Sequence, residues 1–335
     1  MKLTGKTLLV AGGEGFIGSH LVERLIERHP QRIIIVGNYS SGLSDSLDKA
    51  KSIFPEIIVE ICDATDFDAL SRIFNSYNVD IVFNLAVVSL PISLERPEFT
   101  ITTNIGITVN LCQLLRFGQY QRLVQFSSSE AFGSLQQDPM DEDHPLAPET
   151  AYGASKSATD FIALSYWRTY GCEVTAVRPF NQYGPRQTTN PAPIVPALIR
   201  QLSRNEPITI HGDGTQTRDF TYVTDTADAA IAICEADDLV GQVVVVGSGD
   251  ELSVNDLAQQ VADIFGYQIK IKYEKGRIGD VFRHVANASR LRDATGWEPK
   301  IALNVGLRKT VDWYLKRPNI FDYPDWYVEH PHLLR

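Results

Sequence analysis

The segment AGGEGFIGSH near the N-terminus constrains the fold most, because it joins a short apolar strand to a helix through spaced glycines. Gly12, Gly15 and Gly18 follow the pattern G-x-x-G-x-x-G. Such glycines allow a tight turn, let a pyrophosphate approach the backbone and let the helix pack closely on the strand. The amides at the helix start, including those of Phe16 and Ile17, then face the phosphates. A glycine-rich turn without a ligand is the alternative interpretation.

Strand and helix patterns alternate through the first half of the chain. The apolar strands Arg32–Val36, Ile57–Ile61 and Arg122–Phe126 are separated by helical patterns such as Phe67–Tyr77. Strands that are apolar on both sides predict a parallel sheet with helices on both faces. The predicted fold class is therefore α/β, a Rossmann-type doubly wound parallel sheet followed by a smaller mixed α/β C-terminal region.

The pattern loosens after about residue 181, where prolines and glycines become frequent. Short strands such as Pro207–Ile210 and Gln242–Val246 lie there between helices, which indicates a second region. We therefore expect a dinucleotide-binding Rossmann domain over residues 1–180, to which some later segments return. A mainly substrate-binding region would cover residues 181–320, and residues 321–335 would form a C-terminal tail.

Charge and composition exclude several classes of partner. The net charge is −10, whereas nucleic acids and anionic membrane surfaces select basic patches, so neither is expected to bind. No apolar run approaches the roughly 20 residues of a membrane helix, and the N-terminus lacks a signal-peptide pattern. The four cysteines lie far apart and are expected to be reduced thiols in a cytoplasmic protein. The seven histidines do not cluster in the sequence, so they do not predict a metal site.

The end of the second strand bears on the choice of cofactor. Dinucleotide sites normally carry an acid there, which accepts hydrogen bonds from the adenosine ribose. In IIIVGNYSSG, however, Gly37 stands at the acid's position and Asn38 follows it. The missing acid removes the repulsion that excludes the 2′-phosphate of NADP, yet no arginine stands there to bind one. NAD is the expected cofactor, with NADP as the alternative, and Asp63 after the third strand is placed to meet the adenine ring.

The segment AYGASK contains a tyrosine and a lysine at helical spacing. Tyr152 and Lys156 are four residues apart, so both lie on one face of the predicted helix. A free tyrosine has a pKa of about 10, which a nearby lysine and a positively charged nicotinamide would lower. The phenol could then serve as a base, while the lysine also holds the nicotinamide ribose. The same spacing arises by chance on many surface helices.

The serines of FSSSEAFG make the catalytic interpretation stronger. They follow the strand Arg122–Phe126 at the sheet edge where the glycine loop also lies, and ligands bind off that edge in such sheets. A serine hydroxyl there can donate a hydrogen bond to an oxygen that becomes a ketone while Tyr152 takes its proton. Serine, tyrosine and lysine around a nicotinamide form one coherent site for hydride transfer.

The chain resembles the extended short-chain dehydrogenase/reductases that act on nucleotide sugars, which are epimerases, 4,6-dehydratases and decarboxylases. The family usually has histidine where this chain has Asn84. The motifs together are specific for the family, but none is specific for one substrate. The resemblance covers almost the whole chain and rests on AGGEGFIG, DIVFNLA (80–86), SLERP (93–97) with Asn104, FSSSEAFG, AYGASK, RPFNQYGPRQ, HGDGTQTRDFTYVTD and the stretch from GRIGD to GW.

The resemblance implies roles for particular residues. Ser128 falls on the family's catalytic serine or threonine, and Tyr152 and Lys156 fall on the catalytic pair. The resemblance also implies that Ala86 contacts the cofactor. Substrate binding is implied for Ser128, for Asn181, Arg218 and Arg277 at the diphosphate, and for Asp280 at the nucleotide ribose. The family also implies a homodimer built on a four-helix bundle, formed by Pro97–Leu115 and the helix that carries Tyr152.

Glu130 leaves the reaction type open. Epimerisation needs the serine, the tyrosine, the lysine and room for a 4-keto sugar to rotate. Dehydration also needs an acid–base group near C5 and C6, and related 4,6-dehydratases commonly carry an Asp-Glu pair directly after the catalytic hydroxyl residue. This chain has Ser129-Glu130, which is closer to the Thr-Ser-Glu of UDP-glucuronate decarboxylases and GDP-mannose dehydratases. Glu130 is therefore either a catalytic residue or a loop carboxylate that caps backbone amides.

The expected function is that of an NAD(P)-dependent nucleotide-sugar 4-epimerase with a UDP-linked substrate. Tyr152 would act as the base that removes the proton of the C4 hydroxyl. The alternative is a nucleotide-sugar 4,6-dehydratase or a UDP-glucuronate-type decarboxylase that uses Glu130. An alternative of another class is a non-catalytic NAD-binding sensor.

Overall fold

The computed structural model describes residues 1–38, 43–189, 193–266, 268–277 and 279–322. The strands are β1 Thr7–Ala11, β2 Arg32–Gly37, β3 Ile57–Ile61, β4 Ile81–Asn84, β5 Arg122–Phe126, β6 Glu173–Pro179, β7 Asn181–Tyr183, β8 Ile208–His211, β9 Thr217–Tyr222, β10 Val243–Val246, β11 Glu251–Ser253 and β12 Ile271–Glu274. The helices are α1 Phe16–Ile26, α2 Asp48–Ile53, α3 Phe67–Tyr77, α4 Leu90–Glu95, α5 Pro97–Arg116, α6 Ala151–Tyr170, α7 Ile194–Ser203, α8 Val223–Glu235, α9 Val254–Phe265, α10 Ser289–Thr295 and α11 Leu303–Leu315.

Seven parallel strands form the main sheet in the order β10-β6-β5-β4-β1-β2-β3. The chain runs outward from β1 through β2 and β3, and then returns to the other side of β1 at β4. This reversal creates the crevice in which doubly wound sheets bind their ligands. The predicted Rossmann-type α/β fold is therefore confirmed.

The main sheet is buried on both faces, as its near-continuous apolar strands require. Successive side chains of β1 point to opposite faces, so Leu8 packs in a core with helices α1 and α8, whereas Leu9 packs with α3 and α5. An ion pair reinforces the first face, because Arg24 of α1 binds both carboxylate oxygens of Asp228 of α8 at 2.7 and 2.6 Å.

A smaller region packs beside the main sheet. It contains a three-stranded sheet, β11-β9-β7, and a parallel pair, β12-β8. Helices α7, α9 and α11 share one apolar core with these strands, and that core includes Leu198, Leu257, Leu307 and Tyr183. The fold class is thus confirmed in both parts, and a division of the chain at residue 180 stays a prediction.

The prediction that placed Gln242–Val246 in the second region is wrong. Val243–Val246 pairs in parallel with Ala176–Pro179 and forms the outer strand of the main sheet. Val244, Val245 and Val246 are fully buried. A run of four valines suits such a strand, but the run alone does not reveal which sheet it joins.

Three features bear on the other expectations about the chain, and they concern the tail, the cysteines and the helices. Of the predicted tail, only Phe321 and Asp322 lie within the described residues, and Phe321 is buried with its ring stacked 5.3 Å from that of Tyr314. All four cysteines are buried free thiols. Among the described helices, none combines the length and the apolar character needed to cross a membrane.

Candidate active site

The glycine loop between β1 and α1 has the geometry of a phosphate cradle. Gly12 adopts a φ of +74°, and a Cβ at this position would approach the backbone nitrogen of Ala86 to 2.8 Å. A Cβ at Gly18 would overlap with the Gly12 carbonyl oxygen, so only glycine lets α1 start this close to β1. A Cβ at Gly15 would meet only the Gly12 carbonyl oxygen, at 3.1 Å, which leaves the outer side of the loop open.

The start of α1 suits an anionic ligand. Gly15 is the N-cap residue, no side chain caps the helix, and its first turn contains no acidic residue. The amides of the first turn, which includes Phe16 and Ile17, and the positive end of the helix dipole are therefore available to a pyrophosphate. These residues fit the phosphates of a dinucleotide.

The expected adenosine end lies beside the C-terminal ends of β2 and β3. Gly37 and Ile61 are register partners, and the amide of Cys62 donates to the Gly37 carbonyl at 3.1 Å. Asn38 and Asp63 are both exposed at this edge, and Asp63 accepts hydrogen bonds from the amide and hydroxyl of Thr65 at 2.9 and 2.8 Å. Contact of Asp63 with an adenine ring stays a prediction.

The start of α6 brings the tyrosine and lysine to the end of β5. Thr150 caps the helix by accepting a hydrogen bond from the Gly153 amide at 3.0 Å. A Cβ at Gly153 would overlap with the Glu130 carbonyl oxygen, so glycine permits close packing of α6 on the turn at residues 129–131. Lys156 Nζ donates to the Phe126 carbonyl oxygen at 2.8 Å. The predicted serine, tyrosine and lysine therefore meet at one sheet edge.

Burial controls the protonation of the tyrosine and the lysine. It raises the pKa of Tyr152 to about 12; a hydrogen bond with the Ser128 side chain acts in the opposite direction, and the nearby Glu130 carboxylate adds to the rise. Burial also lowers the pKa of Lys156 to about 8, against the attraction of Asp160. In the protein without its cofactor, the pKa of Tyr152 is therefore raised and not lowered as expected. The cause is that loss of water disfavours the charged phenolate.

A buried polar network lies behind the lysine. Asp160 Oδ2 accepts hydrogen bonds from Ser127 Oγ and from Arg178 Nε, each at 2.9 Å. The side chains of Arg178 and Asp160 are 4% and 3% exposed, so this ion pair is shielded from solvent. The Arg178 guanidinium also lies 4.7 Å from the centre of the Phe132 ring. The network fixes the first serine of FSSSEAFG and leaves Ser128 as the serine next to Tyr152.

Glu130 lies in a short 3₁₀ turn directly after Ser128. The Ser128 hydroxyl accepts a hydrogen bond from the Glu130 amide at 3.2 Å, which caps the turn. Burial raises the pKa of the Glu130 carboxyl to about 7; Arg218 opposes this rise, whereas Asp280 and Glu149 add to it. A carboxyl with a pKa near neutrality can donate or accept a proton at working pH.

A cleft of about 380 Å³ brings most of the predicted substrate residues together. Arg218 donates to the Thr217 carbonyl at 2.8 Å and forms an ion pair with Asp280. The side-chain nitrogen of Asn181 is buried without a hydrogen-bond partner among the described residues. The predicted residues that line the cleft are Phe16, Ser128, Glu130, Asn181, Arg218, Arg277 and Asp280.

Several lining residues were not predicted from the sequence. Phe180 and Gln182 flank the predicted Asn181, and Gln216 lies two positions before Arg218. Their proximity to the recognised motifs was the available signal. Ser89 and Leu90 also line the cleft, from the start of α4, and no pattern of charge or spacing marks them.

The fold and the site together define the class of the protein. A doubly wound sheet with a glycine-rich loop after β1, and a serine, tyrosine and lysine at the end of β5 and the start of α6, is the arrangement of a short-chain dehydrogenase/reductase. The chain belongs to the GDP-mannose 4,6-dehydratase family, whose family model matches residues 9–310.

Similar proteins catalyse more than one reaction. The chain is 31% identical over 311 residues to a UDP-glucose 4-epimerase of Mycolicibacterium smegmatis, with 91% of this chain and 97% of the relative covered. It is 31% identical over 307 residues to UDP-glucuronic acid decarboxylase 5 of Arabidopsis thaliana, with 90% and 86% covered. The crystal structure of a dTDP-glucose 4,6-dehydratase from Bacillus anthracis in complex with NAD superposes with a TM-score of 0.84 at 29% identity, covering 94% of this chain and 98% of that one.

Proposed function

We propose that the protein is an NAD-dependent nucleotide-sugar 4-epimerase that acts on a UDP-linked sugar. The observation that carries this proposal is the set of acidic groups in the cleft. Among the described lining residues, only Glu130 and Asp280 are carboxylates, and Asp280 is ion-paired with Arg218. Ser129 stands where the Asp-Glu pair of a 4,6-dehydratase would have its first acid. Because epimerisation needs no such pair, this set of acidic groups supports an epimerase.

The chain's own residues account for the proton movements. Tyr152 removes the proton of the sugar C4 hydroxyl, and Ser128 donates a hydrogen bond to the same oxygen as it becomes a ketone. When bound, NAD supplies a reversible hydride acceptor beside C4 and a positive charge near Tyr152. The Lys156 ammonium adds a second positive charge, which stabilises the phenolate against the effect of burial. The 4-keto sugar then presents its other face, and Tyr152 returns the proton when C4 has been reduced from that side.

The charged end of the cleft supports a nucleoside diphosphate as the substrate. Arg218 and Arg277 line it, and a planar guanidinium can bind two phosphate oxygens at once. Asn181 offers a buried amide nitrogen, and Asp280 is the proposed contact for the nucleotide ribose. A UDP-linked sugar is the substrate that the name of the M. smegmatis relative suggests.

Incubation with a panel of UDP-, dTDP- and GDP-sugars, followed by NMR of the products, tests the reaction. We expect a UDP-sugar with inverted configuration at C4. A 4-keto-6-deoxy sugar or released carbon dioxide would contradict epimerisation. The Glu130→Gln variant sharpens the test, because an epimerase should keep its activity within about tenfold, whereas removal of a catalytic acid–base group costs about 10²–10⁴-fold.

A second candidate function follows from the raised pKa of Glu130. Its pKa of about 7, raised by burial, suits a group that moves a proton near C5 and C6 of a 4-keto sugar. A 4,6-dehydratase or a UDP-glucuronate-type decarboxylase would use Glu130 in this way. A non-catalytic NAD-binding sensor, the third candidate, predicts that Tyr152→Phe leaves the protein's measured behaviour unchanged.

We also propose a cytoplasmic homodimer. Helices α5 and α6 pack together and leave large apolar side chains exposed, among them Phe99 at 41% and Phe161 at 59%. Exposed apolar side chains on two adjacent helices suit a four-helix bundle with a second copy. The four buried free thiols are consistent with the reducing conditions of a cytoplasm.

A further inference from the structure

The carboxylate of Glu14 fills the space in front of Gly37. Glu14 lies between Gly13 and Gly15 in the glycine loop and is only 5% exposed. A Cβ at Gly37 would overlap with both carboxylate oxygens and with Cδ of Glu14. The loop therefore delivers a carboxylate to the end of β2, where an acidic side chain on the strand itself would normally project.

The backbone at Glu14 is held in place by the segment before α2. Ser46 Oγ donates to the Glu14 carbonyl oxygen at 2.7 Å, and Ser46 is 3% exposed. The Ser46 carbonyl in turn accepts from Arg186 Nη1 at 2.8 Å. Ser46 thus fixes the backbone of Glu14, and the absence of a side chain at Gly37 leaves the space that the Glu14 carboxylate fills.

We propose that Glu14 replaces the missing acid of β2 and makes the site selective for NAD over NADP. The end of β2 is where an acid discriminates between the two cofactors, since the 2′-phosphate of NADP would face it there. A carboxylate held at the same place repels that phosphate whichever part of the backbone supplies it. The repulsion is strengthened by burial, which reduces screening by water.

The surrounding charges add to this effect. A site for NADP needs a cation that can bind the 2′-phosphate. Arg186 Nη1, which donates to the Ser46 carbonyl, and Lys49 Nζ each bind a carboxylate oxygen of Glu23 at 2.7 Å. A 2′-phosphate would have to compete with Glu23 for both. The loss of the acid at position 37 therefore does not turn this site into an NADP site.

The inference rests on the proposed NAD dependence, and its test is the binding of NADH and NADPH to the purified full chain, measured by calorimetry. We expect the wild-type protein to bind NADH at least about tenfold more tightly than NADPH. In Glu14→Gln the ratio of the two affinities should fall by about tenfold or more, mainly because NADPH binds more tightly. Glu27→Gln, which removes the same charge at the far end of α1, should leave the ratio unchanged.

An exchange of positions separates selectivity from folding. Gly37→Asp alone should weaken NADH binding, because the new side chain overlaps with Glu14. The double variant Glu14→Ala with Gly37→Asp supplies the carboxylate from the strand and should restore the preference for NADH. A Glu14→Gln variant with the wild-type ratio, or a double variant without preference, would overturn the inference. If the wild type bound NADH and NADPH equally well, only the proposed role of Glu14 would be overturned. If it bound neither nucleotide, the assignment of NAD as the cofactor would be overturned as well.

Discussion

The Lys156 ammonium lies 5.9 Å from the centre of the Tyr152 ring, one helical turn away, and is held there by the Phe126 carbonyl. The two side chains come from one helix, and the residue that anchors the lysine ends β5. Any change in how α6 packs on β5 must therefore alter the distance between the base and the charge that stabilises it. The site depends on this packing as much as on the identities of the two residues.

Replacement of the proposed base should abolish turnover while the fold and cofactor binding remain. Tyr152→Phe removes only the hydroxyl, so we expect the rate of sugar conversion to fall by about 10²–10⁴-fold or more. The rate is measured by NMR of the product, and NADH affinity should change little. Tyr170→Phe is the matched control, since Tyr170 lies at the other end of α6 and is 52% exposed. Full activity of Tyr152→Phe would refute the proposed chemistry.

Glu130 should make stability fall as pH rises. Burial raises its pKa from 4.5 to about 7, so between these values the folded protein keeps a proton that the unfolded chain has lost. The free energy of unfolding therefore decreases from pH 4.5 to 7 through this group. Glu130→Gln should be more stable than the wild type above pH 7, with a difference that shrinks toward pH 4.5. Urea unfolding at several pH values measures this.

Glu251 provides a control of opposite sign for the pH series. Arg283 binds its carboxylate and lowers its pKa, so its contribution to stability is present above the unfolded pKa and is lost as the pH falls. Glu251→Gln should therefore lose stability relative to the wild type at neutral pH. Parallel pH curves for the wild type and Glu130→Gln would show that Glu130 titrates normally.

Removing one partner of the buried ion pair between Arg178 and Asp160 should lower the stability of the protein. Arg178→Met leaves the Asp160 carboxylate buried without its cation, and we expect a loss of about 3–5 kcal/mol in the free energy of unfolding. Combining Arg178→Met with Asp160→Leu removes both charges and should cost less than the single change. Urea denaturation compares the two variants. A double variant that is less stable than the single one would show that the pair contributes net stability.

Replacing Gly18 and Gly106 with alanine should change the free energy of unfolding in opposite directions. A Cβ at Gly18 overlaps with the Gly12 carbonyl, so Gly18→Ala should reduce the free energy of unfolding by about 1–3 kcal/mol and weaken NADH binding. Gly106 lies inside α5 with only Thr65 nearby, at 3.7 Å, and Gly106→Ala should gain about 0.5–1 kcal/mol. Thermal and urea unfolding of both variants test this. Equal effects would mean that the loop can relax around a Cβ.

The proposed dimer predicts that a charge on α6 produces monomers. Phe161→Glu places a carboxylate on α6 at an exposed apolar position of the proposed interface, so light scattering should show half the mass of the wild type. Tyr273→Glu in β12, where the side chain is 53% exposed, is the control and should remain dimeric. A monomeric wild-type protein would refute the proposal.

Local patterns in the sequence predicted local structure well. The predicted bounds of β3, β5 and α3 agree with the structure, because each element has its own apolar periodicity and clear flanking signals. A local pattern does not reveal which sheet a strand joins. The valines of β10 were therefore predicted to lie in the second region, although they belong to the main sheet.

Contacts between distant segments were also beyond the sequence patterns. Gly37 was recognised as an unusual residue, but its partner Glu14 lies in a different loop, and only the folded chain brings them together. The same holds for Arg178 and Asp160, since nothing in either segment indicates a buried ion pair. The site could be outlined from its motifs, whereas its charge balance required the structure.

The position of β10 has a consequence for synthesis on the ribosome. A chain that has emerged only as far as β6 exposes the backbone edge of that strand, whose residues from Val174 to Val177 are buried in the finished protein. An uncovered edge on an apolar strand is a template for strand addition by other chains. Translation that stops before Val246 should therefore yield aggregating fragments rather than a folded half, so the last strand of the sheet decides whether the nascent chain stays soluble.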